Sequence, residues 1–248
     1  MNANNSGSAY KIIVSGDSIS KGVVYDERKN KYIVLENNYI SLLQRKLNGV
    51  VYNTARFGNT IIKGFSKLRK DLPKYSPDIA FIEYGGNDCD FNWYEVALDP
   101  GNEHLPNTDF NGFQNQLKEI INFLKNNRIT SVVMTLPPLN ADRYLKWISK
   151  NNPLVEGSIL NWLGSATKLY WWQERYSSAI QKVAEECNIK CIDIRGAFLQ
   201  YADYTQFLCL DGIHPNEAGH EIIANKIIDY IKSGYDYLLK SNDDKYHG

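Results

Sequence analysis

Residues 11–20, Lys11-Ile12-Ile13-Val14-Ser15-Gly16-Asp17-Ser18-Ile19-Ser20, open on an apolar run and break at once into small and polar residues. A run without polar alternation predicts a strand buried on both faces, here Lys11 to Val14, and the Gly-Asp-Ser after it predicts a strand-end turn. Outward from this stretch, short apolar runs keep alternating with helical spacing. Asn38 to Leu47 puts Tyr39, Ile40, Leu43 and Leu47 on one helical face. Val50-Val51-Tyr52 predicts a second strand, and Ile61 to Lys70 a helix that Pro73 stops. Asp78 to Tyr84 predicts a third strand. Phe113, Leu117, Ile120, Ile121 and Leu124 stripe a helix over Asn111 to Asn126. Ser131 to Leu136, closed by Pro137-Pro138, predicts a fourth strand and Ile189 to Ile194 a fifth. Between them Trp172, Tyr176, Ile180, Val183 and Cys187 keep helical spacing, and a last helix runs from Asn216 to about Ile231 with Ile223, Ile227 and Ile231 on its seam. The expected fold is α/β: a three-layer α/β/α sandwich around a five-stranded parallel sheet of doubly wound, flavodoxin-like topology. Ligands then bind beyond the carboxyl ends of the strands.

Composition narrows the function classes. The 248 residues hold 28 Lys and Arg against 28 Asp and Glu, which argues against a basic nucleic-acid platform or a polybasic membrane anchor. Hydrophobic residues make up 43%, ordinary for a globular chain, and residues 1–248 are expected to form one domain. No stretch approaches the ~18 apolar residues of a membrane span, and Met1 to Tyr10 lacks the apolar core of a signal peptide. Cys89, Cys187, Cys191 and Cys209 form no C-x-x-C motif and are read as reduced thiols of a cytoplasmic protein. The Asn4-Asn5-Ser6 sequon means little without secretion. Two connections, about 89–108 and 139–169, are too long for plain loops. The tryptophans lie in these insertions or at the start of the following helix. The tail from about Ser233 is expected to fray.

Four short stretches at predicted strand ends carry the chemistry: Gly16-Asp17-Ser18-Ile19-Ser20, Arg56-Phe57-Gly58-Asn59, Gly85-Gly86-Asn87-Asp88, and Asp211-Gly212-Ile213-His214-Pro215-Asn216 before the last helix. A serine hydroxyl is a poor nucleophile until an imidazole takes its proton, and the imidazole needs a carboxylate to fix its tautomer. Ser18, His214 and Asp211 are the residues of those types, and Asp211 lies three positions before the histidine it would orient. In this order the set resembles the SGNH/GDSL hydrolase superfamily of serine esterases, with Ile19 where that family often has leucine. The resemblance implies Ser18 as nucleophile, His214 as base and Asp211 as its partner. It also implies an oxyanion hole from the backbone N–H of Ser18, the backbone N–H of Gly58 and the Asn87 amide. It implies no metal or organic cofactor, and a small-molecule ester as the partner.

Blander roles compete at each position. Ser18 could cap a helix, and Asp17 and Asp88 are read as turn or cap residues. His104 and His220 are read as surface histidines. Gly85-Gly86 lacks the following pattern of a phosphate cradle. Trp172 is expected to pack in the core. Trp93, Tyr94, Trp147 and Trp162 are candidate substrate contacts, or else staples of the insertions. Rings interleaved with amides and charges suit a short acyl group on a carbohydrate or similar polar alcohol. The alternatives are a lysophospholipase or thioesterase of the same superfamily, or a flavodoxin-like binding module without chemistry. An Asp-x-x-His pair opposite a strand-end serine favours catalysis.

Overall fold

In the computed structural model, which describes residues 9–240, β1 (Tyr10–Gly16) turns Ile12 and Val14 to one side of the sheet and Ile13 to the other. The same division continues along the neighbouring strands: Phe81 and Val132 face with Ile12, Ala80 and Val133 with Ile13. Both faces therefore need helical cover, and this is why the strands read as unbroken apolar runs.

The chain continues through α1 (Ser18–Lys21), β2 (Val23–Asp26), β3 (Lys31–Val34), α2 (Tyr39–Lys46), β4 (Gly49–Asn53), α3 (Ile61–Tyr75) and β5 (Ile79–Glu83). Next come α4 (Trp93–Leu98), α5 (Phe110–Asn126), β6 (Thr130–Met134), α6 (Ala141–Ile148), α7 (Pro153–Leu163), α8 (Thr167–Glu186), β7 (Lys190–Ile192), α9 (Ile194–Leu199) and α10 (Glu217–Gly234). The five-stranded sheet has the order β4-β1-β5-β6-β7, all pairs parallel, which is the flavodoxin-like order expected. Residues of α2, α9 and α10 pack on the Ile12 face and those of α3, α5 and α8 on the Ile13 face. The strand order reverses around β1, so the loops after β1, β4 and β5 open into one crevice.

Several expectations need correction. Pro73 does not stop its helix: α3 runs on to Tyr75. In the last turn a proline forfeits one backbone bond, while buried Leu68 and Leu72 hold the helix down and Ser76, at φ 44, closes it by donating to the Leu72 carbonyl at 2.8 Å. β7 ends at Ile192 because Asp193 caps α9, accepting from Gly196 N–H at 2.8 Å. The long insertions are helical, carrying α4, α6 and α7 around a third apolar cluster that includes Phe91, Leu145, Ile159 and Leu169. The stretch after Ser233 does not fray as far as Lys240. Leu238 is buried and its carbonyl accepts from Asn48 N–H at 2.7 Å, which pins the segment beside α2. The sequon and residues 241–248 lie outside the described residues. Among the described residues no helix is long and apolar enough to cross a membrane.

Candidate active site

The turn after β1 is built by Asp17, whose Oδ1 accepts from Ile19 N–H at 2.9 Å and caps the four-residue α1. Ser18 is the first residue of that helix and follows the carboxyl end of β1, which lies between β4 and β5 in the sheet. From the far end of the chain, the loop before α10 folds back so that Cys209 N–H donates to the His214 carbonyl at 2.8 Å. Gly212 takes φ +74 within this loop, a conformation side chains rarely adopt. Asp211 Oδ1 accepts the backbone N–H groups of Ile213 and His214, both at 3.0 Å. Its Oδ2 meets His214 Nδ1 at 2.6 Å, and His214 Nε2 meets Ser18 Oγ at 2.8 Å. Burial works against the charge on Asp211. The bonds from the His214 ring and backbone outweigh it and hold the carboxyl below its ordinary range.

The donor side is also assembled at strand ends. Asn87 follows β5 and donates one Nδ2 hydrogen to Asp17 Oδ2 at 3.1 Å, leaving the other for a ligand. Gly58 lies in the turn after β4 at φ +71, and nothing crowds the position a Cβ would take, so its glycine is required by conformation rather than by space. Beneath Ser18, Ser20 Oγ donates to Glu83 Oε2 at 2.8 Å and meets Tyr39 Oη at 2.7 Å. Burial raises both Asp17 and Glu83, and the Glu83 charge raises Asp17 further. These shifts come from a buried pair. Among the described residues Glu83 Oε1 has no hydrogen-bond partner. Asp88 is a cap, as expected: it accepts from Ile61 N–H at 3.0 Å and Thr108 Oγ1 at 2.6 Å.

The model of the GDSL-like Lipase/Acylhydrolase family matches residues 14–222. The chain belongs to that family. It is 23% identical to a GDSL esterase/lipase of Arabidopsis thaliana over 90% of this chain and 86% of that one. It is 24% identical to an acetylxylan esterase of Geobacillus stearothermophilus over 94% of this chain and 97% of that one. The fold matches the crystal structure of a lipase/acylhydrolase from Enterococcus faecalis with a TM-score of 0.65 at 22% identity, covering 93% of this chain and 97% of that one. This member is accordingly a carboxylic ester hydrolase acting on small-molecule esters, not a ligand-binding module.

In this acylhydrolase a cavity of about 560 Å³ opens above Ser18. Trp93, Trp147 and Trp162 line it. Tyr94 does not: it is 73% exposed on α4, because the helix turns Val96 inward and Tyr94 outward. Trp93 and Tyr144 are fixed by Asp90, whose Oδ1 accepts from Trp93 Nε1 at 2.7 Å and Tyr144 Oη at 2.6 Å. Burial pushes the Asp90 carboxyl up against these bonds. Trp172 packs against the second core cluster as expected and donates Nε1–H to the Cys89 carbonyl at 2.8 Å. His220 is not a surface residue. It is buried behind Tyr39, whose N–H it faces through Nδ1 at 3.4 Å, because it falls on the apolar seam of α10. His104 is half-buried with its ring edge-on to Trp162, and it lines the cavity. Phe57 and Tyr32 line it too, and no sequence motif marks Tyr32. It sits on the β2–β3 hairpin, whose short aromatic and β-branched runs flank the polar turn Glu27-Arg28-Lys29-Asn30.

Proposed function

We propose that this enzyme cleaves its ester through an acyl-serine intermediate and that its substrates carry a short acyl group on a carbohydrate or similar polar alcohol. The observation that carries the mechanism is the unbroken chain from Ser18 Oγ through His214 to Asp211 at the floor of the cavity. His214 Nε2 takes the Ser18 proton as Oγ bonds to the ester carbonyl carbon, and Asp211 stabilises the resulting imidazolium. The Ser18 and Gly58 N–H groups and the Asn87 amide take the developing oxyanion charge. His214 then gives its proton to the departing alcohol. Water, deprotonated by the same imidazole, releases the acid and restores Ser18.

The substrate class is supported by the cavity wall, where Trp93, Trp147 and Trp162 alternate with Asn87, Glu103, His104 and Gln173. Ring faces cover sugar C–H surface while the polar groups reach hydroxyls. Similarity to an acetylxylan esterase points the same way. The four free cysteines support a reducing, cytoplasmic setting. A fluorophosphonate probe followed by peptide mapping tests the nucleophile: adduct on Ser18 is expected, and labelling elsewhere overturns the assignment. Aryl esters of rising acyl length test the substrate class. A steep fall in kcat/KM beyond about four carbons is expected, since a matching apolar slot would instead add ~0.8 kcal/mol per methylene. A profile rising through eight carbons selects the lysophospholipase or thioesterase reading.

A further inference from the structure

The β2–β3 hairpin pairs with no strand of the main sheet, yet it reaches the reacting groups. Tyr32 Oη donates to Asp211 Oδ2 at 3.0 Å, the same oxygen that meets His214 Nδ1 at 2.6 Å. With two backbone N–H groups on Oδ1, the Asp211 carboxylate is saturated by four donors. The Tyr32 ring stands edge-on to His214 at 5.2 Å between centroids and is itself braced by Phe57, Tyr25 and Trp147. We infer that Tyr32 is a positioning residue of the esterase, a fourth member of the relay whose hydroxyl sets the plane and the basicity of Asp211 and thereby the strength of His214 as a base.

The chemistry is that of a shared acceptor. A donor on Oδ2 withdraws charge from the oxygen that holds the imidazole N–H, so Asp211 stabilises the imidazolium less than it otherwise would. Removing that donor therefore strengthens the hold of Asp211 on the imidazolium, and a stronger donor weakens it. The hydroxyl is a dependable donor because burial and the Asp211 charge push its ionisation upward. The other titratable groups around the relay come from separate elements. Cys209 on the His214 loop is raised by burial to about 11, and His220 on α10 is lowered by burial to about 4. Glu27 acts on Cys209 from the hairpin turn, and Asp17 and Glu83 lie behind Ser18. Changes at Tyr32 leave all of these in place.

The inference rests on Ser18 and His214 being nucleophile and base, so the first measurement is fluorophosphonate labelling of the wild-type chain. Failure to label Ser18 removes the site reading itself. With labelling established, kcat/KM for an aryl acetate is measured against pH for wild type, Tyr32→Phe and Tyr25→Phe. Tyr25 donates to Asn30 on the same hairpin and serves as the hydroxyl-deletion control. Tyr32→Phe should move the acid limb up by about 0.5–1 pH unit, while Tyr25→Phe leaves it in place. A protein carrying 3-fluorotyrosine at position 32, a stronger donor, should move the limb down. Opposite shifts from the two replacements cannot come from a loosened hairpin. An acid limb that stays at the wild-type position in Tyr32→Phe, even with a lower rate, makes Tyr32 structural and overturns the inference. So does a shift of the same sign in both Tyr32 proteins, which also covers a poorly folded phenylalanine variant.

Discussion

Ser18 contributes one oxygen to the cavity and almost nothing to the core clusters, so its chemistry and its structural role separate cleanly. Ser18→Ala should lower ester turnover by about 10⁴–10⁶-fold while shifting urea-unfolding stability by about 1 kcal/mol or less. Wild-type-like turnover in that variant removes Ser18 from the mechanism. Asp211→Asn leaves the shape of the loop but presents an amide to His214 Nδ1 and favours the wrong tautomer. A loss of about 10⁴-fold in kcat is expected, together with a rate that no longer follows the wild-type pH curve. A large loss of stability with little loss of rate would instead make Asp211 a loop staple. His220 illustrates a different residue-scale effect. Burial lowers it to about 4, so below its ordinary 6.5 the unfolded chain takes a proton that the folded chain refuses. Stability is therefore lost as pH falls from 6.5 toward 4, by about 2 kcal/mol at pH 5. Asp88 runs the other way: burial raises it to about 6, and the folded chain gains stability as pH falls from 6 toward 3.8. The two windows overlap and flatten the wild-type curve. His220→Leu should expose the tilt, gaining about 2 kcal/mol on wild type between pH 7 and pH 5 in urea unfolding. A difference that is constant across that range means that His220 titrates alike in both states.

Elements differ in how plainly the sequence announces them, and the cause is burial. The sheet strands are legible because both faces are covered, so Ile12 to Val14 and Ile79 to Ile82 carry no polar interruption. The β2–β3 hairpin is not, because four-residue strands with Val34 54% exposed give too short an alternation to stand out. α7 is similarly hidden: Pro153 to Leu163 carries apolar residues around most of its circumference, as suits a helix packed among other insertions. The Asp211–His214 pair is readable because the partners are three residues apart. Ser18 lies 196 positions from His214, and Tyr32 lies 179 from Asp211. Nothing local encodes either pairing. The first was accessible through family resemblance, and the second appears only in three dimensions. The loop joining these elements has its own sensitive point. A Cβ on Gly212 would stand 2.7 Å from the Asn140 carbonyl oxygen and 2.9 Å from Tyr144 N, in addition to the strain of its φ of +74. Gly212→Ala should therefore push the Asp211–His214 loop off α6, with a stability loss of about 1–3 kcal/mol and a fall in kcat that exceeds any rise in KM. Thermal unfolding and steady-state kinetics on the same preparation check both parts, and unchanged kinetics would show that the loop absorbs the methyl elsewhere.

At the scale of the whole molecule, the proposed catalytic groups and the proposed substrate wall rest on different cores. Ser18, Asn87 and Gly58 stand on the strand ends of the central sheet, whose faces are filled by the first two apolar clusters. The far wall of the cavity, with Trp93, Trp162 and Leu163, grows from the third cluster, which α4, α6 and α7 build beside the sheet. Damage to that cluster should therefore alter what the enzyme holds before it alters how the ester is cleaved. Ile159 is the place to test this. It is fully buried within the third cluster on α7 and does not itself line the cavity. Ile159→Ala removes three carbons from a packed interior and should lower stability by about 2–5 kcal/mol, depending on how far the cluster collapses. The Ser18–His214–Asp211 bonds are untouched, so kcat for an aryl acetate should stay within about twofold of wild type. KM for a bulky polar ester, which the proposed reading seats on the tryptophan wall, should rise several-fold. Leu117→Ala, fully within the second cluster on α5 and not lining the cavity, should lose comparable stability with no change in KM. Equal effects of the two variants on KM would mean that the insertions and the sheet respond as one packed body, and that the wall is not an independently tunable part of the site.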